Sequence, residues 1–158
     1  MTYTVLFLCT GNVGRSPLAE VMARRFLAEA IGVEDGELEA RGLRVISAGT
    51  LAPPGVPASA RAAAVAEEIG ITIGPHPSER LTRTMAGEAD VIFCMDATQI
   101  EHLARSGFVA KADLLDPDGR SIPDPRHQDL DFYRKVRDRI AVALQQRIPQ
   151  ILEDAGLG

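Results

Sequence analysis

The sequence predicts an α/β fold: a doubly wound, four-stranded parallel sheet with helices on both faces and a glycine-containing loop after the first strand. Three observations predict it. Four short apolar runs, residues 4–8, 43–48, 90–95 and 111–115, read as buried strands. Each is separated from the next by helix-compatible sequence, the pattern of βα units rather than hairpins. The first run then leads straight into a glycine-containing loop and a helix start.

Taken in order, the elements have local reasons. The first helix opens at Ser16-Pro17, with Ser as N-cap and Pro at the first helical position, and Leu18, Val21, Met22 and Phe26 as its apolar stripe. A second helix fits residues 59–69 and stops at Gly70. A third fits 97–105, where Asp96 and Gln99 have the spacing of a capping box. The last runs from about 130 to 152, and Pro149 has to kink it or end its regular part. Residues 49–57, with three prolines and two glycines, form a surface loop, as do 116–129.

The chain has 158 residues and reads as one domain, 1–158, with no repeat or linker. It is 46% hydrophobic and 25% charged, as soluble globular chains are. A net charge of −5 argues against nucleic acid as partner. No apolar run approaches the roughly 18 residues of a membrane span, and no secretory signal is present. Two cysteines are too few for a disulfide scaffold, so the expected compartment is the reducing cytoplasm.

In open α/β sheets ligands bind at the carboxyl ends of the strands. There the first strand runs into Cys9-Thr10-Gly11-Asn12-Val13-Gly14-Arg15-Ser16. A cysteine before a helix N-terminus sits where loop amides and the helix dipole favour negative charge. Gly11 and Gly14 allow tight turns, and Asn12 tolerates left-handed backbone. Arg15 folds back so that its planar fork grips two phosphate oxygens. Thr10 to Ser16 thus form a cup for a tetrahedral dianion above the Cys9 sulfur. No Gly-Lys-Ser/Thr follows, which excludes a nucleotide P-loop.

These residues, with Ser47-Ala48-Gly49-Thr50, Cys94-Met95-Asp96 and Asp124-Pro125 in the same order, resemble the low-molecular-weight protein-tyrosine-phosphatase family over essentially the whole chain. The resemblance implies two-step cysteine catalysis on phosphorylated proteins, with no metal and no cofactor. It implies a general acid in an Asp-Pro pair before the last helix. Two pairs compete; Asp124, eight residues before Phe132, has the family register, and Asp116 reads as a turn residue. The resemblance further implies that Asn12, Ser16, Ser47 and His76 hydrogen-bond together and hold the loop, while Cys94 belongs to the core. His102 and His127 lack metal-ligand spacing.

The chain departs from the family pattern at several places. Gly14 stands where many members carry a second cysteine, so a protective disulfide with Cys9 is absent. Arg126 and His127 follow Asp124-Pro125 where aromatics often line the cleft, and Leu51 stands where another is often found. The alternatives are a protein-arginine phosphatase of the same fold, for which Val13 lacks the expected threonine hydroxyl, and a thioredoxin-linked arsenate reductase, which needs a further cysteine pair. A non-catalytic phosphate-binding regulator is the remaining one. Substrate preference and oligomeric state are not written in the sequence.

Overall fold

The computed structural model describes residues 1–158. Four parallel strands, β1 (Tyr3–Cys9), β2 (Leu43–Gly49), β3 (Val91–Cys94) and β4 (Ala112–Leu114), lie in the order β2-β1-β3-β4. The crossovers bring α1 (Arg15–Ile31), α2 (Ala60–Glu67) and α5 (Leu130–Asp154) to one face, and α3 (Arg83–Glu88) and α4 (Ala97–Ser106) to the other. Alternation along β1 separates the two cores. Val5, Phe7 and Cys9 pack with α1 and α5, while Leu6 and Leu8 pack toward α3 and α4. This is the predicted doubly wound sheet, and the four predicted strands match to within a residue or two.

The first helix differs from its prediction. It begins at Arg15 with Gly14 at the N-cap and no capping side chain. Ser16 lies inside the first turn because its hydroxyl is turned to the Cys9 sulfur. The orphan amides of that turn are thereby left for an anion in the loop. The buried stripe is also shifted: Leu18, Met22 and Leu27 are buried with Ala19 and Ala23, whereas Val21 and Phe26 are half-buried. At α4 the expected capping box of Asp96 and Gln99 is present, whereas α2 is shorter than expected: Ser59 is its N-cap, accepting from the Ala62 amide, and its regular part ends at Glu67, before Gly70. No local signal announces α3, a six-residue helix containing Gly87 and capped by Thr82.

Pro149 does not end α5, which continues to Asp154. Proline removes one amide donor, and the packing of eight buried side chains of α5 in the core it shares with α1 and α2 outweighs that local loss. At the edge strand, Arg147 donates to the carbonyls of Leu114 and Leu115 at 2.6 and 3.1 Å, which closes part of an open ladder. The loops after β1, β2 and β4 converge at the carboxyl end of the sheet.

Candidate active site

The segment between β1 and α1 curls around the Cys9 sulfur. Asn12 takes a left-handed backbone (φ 55°), which turns its amide inward to donate to Cys9 Sγ at 3.2 Å. Ser16 Oγ lies 2.9 Å from the same sulfur. Arg15 is 3% exposed, so its charge has to be matched by fixed partners. Its Nη1 donates to Asp96 Oδ2 and to the Ile122 carbonyl, both at 2.8 Å, and Nη2 stands 3.9 Å from Asp124 Oδ2. Burial pushes the Asp96 carboxyl up, but hydrogen bonds from Thr98 and Arg15 and the Arg15 charge hold it below its usual value. Asp96 thus serves the loop as well as capping α4, a second task its sequence position did not reveal.

Behind the loop, the four expected supporting residues meet in one network. Asn12 Nδ2 donates to Ser16 Oγ at 2.8 Å and to Ser47 Oγ at 3.0 Å, while its Oδ1 accepts from the Glu79 amide at 2.9 Å. His76 Nε2 lies 3.0 Å from Ser47 Oγ. The network ends on a residue that sequence reasoning missed: Ser47 donates to the buried Glu20 Oε1 at 2.6 Å, and His76 Nε2 is 3.3 Å from the same oxygen. A left-handed asparagine costs on the order of 1 kcal/mol or more, and this frame keeps it in place.

The frame carries a pH signature. Its hydrogen bond to Glu20 raises the His76 pKa from 6.5 against the opposing effect of burial. Burial pushes the Glu20 carboxyl up, yet bonds from His76 and Ser47 and the Arg24 charge bring it below 4.5. The histidine's contribution is complete below pH 6.5 and is lost as pH rises through its elevated pKa. That of Glu20 is complete above pH 4.5 and is lost as pH falls through its lowered pKa. The stabilising effect of His76 over a His76→Gln variant is therefore largest between those two values and shrinks in alkali. Thermal melts of both proteins across pH check this; a difference in Tm that does not vary with pH contradicts it.

Gly49, at the end of β2, lies against the same loop. A Cβ there would stand 2.5 Å from the Thr10 carbonyl oxygen and 2.9 Å from the Asn12 amide nitrogen. That closeness lets Thr50 and Leu51 donate to the carbonyls of Cys9 and Thr10, both at 3.0 Å, and the Ser59 amide bonds the Val13 carbonyl at 2.7 Å. From the other face Gln99 donates to Thr10 Oγ1 at 3.1 Å. Gly49→Ala is expected to push the loop outward, costing about 1–3 kcal/mol as overpacking does. Activity should fall further than stability, which denaturant unfolding and a phosphatase assay read side by side.

The loop opens into a cleft of about 500 Å³ with walls of different character. Leu51, Pro53 and Val56, after β2, make an apolar wall; Asp124 and Arg126, before α5, make a charged one; Tyr133 closes the cleft. Sequence reasoning did not place Tyr133 here, and its hydroxyl, 3.3 Å from Ser59 Oγ, gives the cleft one aromatic. Of the two Asp-Pro pairs, only Asp124 lines the cleft. Asp116 is tied in its own turn to the Asp118 amide at 2.8 Å and to Arg139 at 3.2 Å. Cys94 pairs in register with Leu8, so it lies on the sheet face opposite Cys9, and burial pushes its thiol up to about 12. The sheet thus stands between the two cysteines. No group of three or more His, Cys, Asp or Glu side chains is placed to hold a metal ion. A second hollow of about 480 Å³ beside α1 and β2 contains no cysteine, serine or histidine.

Residues 4–155 match the family model described as low molecular weight phosphotyrosine protein phosphatase. The chain belongs to this family. It is 31% identical to a probable low molecular weight protein-tyrosine-phosphatase, EpsP, of Ralstonia nicotianae, over 96% of this chain and 97% of that one. Among solved structures it superposes on the tyrosine phosphatase Wzb of Escherichia coli K30, in complex with sulphate, with a TM-score of 0.82 and 25% identity, covering 96% and 99% of the two chains. It also superposes on a mutant of the YwlE arginine phosphatase with a phosphorylated active-site serine, with a TM-score of 0.85 and 27% identity, covering 98% and 99%. The family thus includes relatives named for two different phosphorylated side chains.

Proposed function

We propose that this single-domain protein acts in the cytoplasm as a protein-tyrosine phosphatase, with Cys9 as nucleophile, Arg15 as phosphate clamp and Asp124 as general acid. The observation that carries the reading is the convergence of an inward-turned loop amide, the Cys9 sulfur and a fixed Arg15 at the floor of a cleft that Asp124 lines. The Thr10–Ser16 amides and Arg15 hold three phosphoryl oxygens, and the thiolate attacks phosphorus from beneath. A P–S bond forms as the bond from phosphorus to the phenolic oxygen breaks, and Asp124 gives its proton to that oxygen. Water then attacks phosphorus, Asp124 takes back a proton, and the thiolate leaves. The Ser16 hydroxyl, 2.9 Å from the sulfur, donates to it as its charge returns.

The apolar wall and Tyr133 suit the face of a phenyl ring, which favours phosphotyrosine. Val13 lines the same cleft with a methyl where a hydroxyl would help position a guanidino phosphate. The likeness to the arginine phosphatase supports a second reading, and one assay separates the two. Peptides carrying phosphotyrosine or phosphoarginine, given to wild type and Val13→Thr, are expected to show a wild-type preference for phosphotyrosine. Val13→Thr should shift activity toward phosphoarginine. A wild-type preference for phosphoarginine by orders of magnitude replaces the first reading with the second. An arsenate reductase would need a cysteine relay, which two cysteines on opposite sheet faces do not support.

A further inference from the structure

The cleft contains two arginines in different states. Arg15 is buried and held through Nη1 by Asp96 and the Ile122 carbonyl. Arg126 is exposed on the rim, and only its backbone is bound, its amide donating to Asp124 Oδ1 at 3.0 Å. The turn that presents it is well defined: Gln128 donates to the Pro125 carbonyl at 2.9 Å, and His127 takes a left-handed backbone at φ 67°. One turn therefore sets both Asp124 and Arg126 on the charged wall, facing a wall whose Leu51 and Val56 are 65% and 38% exposed. Because Arg126 lies two residues beyond Asp124 and on the rim, its guanidinium is placed for what flanks the scissile group.

From this arrangement we infer that Arg126 is a specificity-determining residue that recognises a carboxylate side chain next to the phosphorylated residue of the substrate. The phosphotyrosine ring lies against Leu51, Pro53 and Tyr133, and the flanking chain crosses the rim over the loop before α5. A guanidinium without an ion-pair partner there attracts Asp or Glu and leaves neutral flanks unaided. With a net charge of −5, the molecule as a whole repels an acidic segment, so the attraction is local. An exposed pair of this kind changes affinity by about two- to fivefold and weakens with salt.

The inference rests on the phosphotyrosine reading, and the experiment separates the two. Matched phosphotyrosine peptides with Glu or Ala on both sides are given to wild type, Arg126→Ala and Arg126→Glu at low and physiological salt. A small aryl phosphate without flanks serves as control. Wild type is expected to favour the Glu peptide by about two- to fivefold in kcat/KM, through KM, with the preference shrinking as salt rises. Arg126→Ala should bring the ratio to about one, and Arg126→Glu should invert it. A wild-type ratio of one, with the aryl phosphate still hydrolysed, overturns the inference alone. So does an equal loss on both peptides in Arg126→Ala, which would place the guanidinium on the phosphoryl group or the ring. Failure of wild type to hydrolyse the aryl phosphate and both peptides overturns the phosphotyrosine reading and this inference with it.

Discussion

Cys9→Ser is expected to abolish turnover, by on the order of 10⁴-fold or more, while phosphate or sulfate still binds. Residues that act as one catalytic unit lose most of the rate when any nucleophilic member is removed. The serine hydroxyl would sit close to the place of the sulfur, which lies 3.2 Å from the Asn12 amide and 2.9 Å from Ser16 Oγ, so the loop amides and Arg15 remain in place to hold an oxyanion. Activity comes from steady-state hydrolysis of an aryl phosphate, and binding from calorimetry with inorganic phosphate. Turnover within tenfold of wild type would remove Cys9 from the mechanism. Loss of phosphate binding along with turnover would mean that the sulfur holds the loop together.

The second large effect separates two residues that look alike in the sequence. Asp124→Asn is expected to slow release of a poor leaving group by roughly 10²–10⁴-fold, the usual worth of general acid catalysis. A good leaving group, which departs without a proton, should be slowed much less, and this difference marks a proton donor. Asp116→Asn should change neither rate appreciably, because Asp116 is held by Arg139 and the Asp118 amide away from the cleft. Rates for aryl phosphates of graded leaving-group acidity measure both variants. A large effect at Asp116 with little at Asp124 would exchange their roles.

What could be read from the sequence was local. The Cys9–Arg15 segment is contiguous, its glycines and Asn12 have backbone reasons to be there, and a strand and a helix flank it, so loop and fold were legible together. Asn12, Ser16, Ser47 and His76 came from family likeness, since no spacing rule links residue 12 to residue 76. Glu20 was hidden because a glutamate four residues before Arg24 reads as an ordinary helix pair, and that pair exists, at 2.8 Å. Asp96 and Gln99 were equally masked by the capping box they form; their second contacts, to Arg15 and Thr10, span 81 and 89 residues. Tyr133 faces the cleft only because α5 packs against α1 and α2, which a helical repeat does not disclose. The misplaced start of α1 has the same origin, for Ser16 is a good cap in isolation and has a better partner in the sulfur.

The mechanism turns on a phosphoryl group carried by Cys9, and that species can be caught. Asp124→Asn is mixed rapidly with an aryl phosphate whose leaving group needs no proton, quenched in acid within the first turnover, and digested for peptide mapping by mass. The expected result is a burst of leaving group approaching one per protein molecule, with the mass of a phosphoryl group on the peptide that contains Cys9. A burst with the phosphoryl group on any other residue, or full activity after alkylation of Cys9, would contradict it.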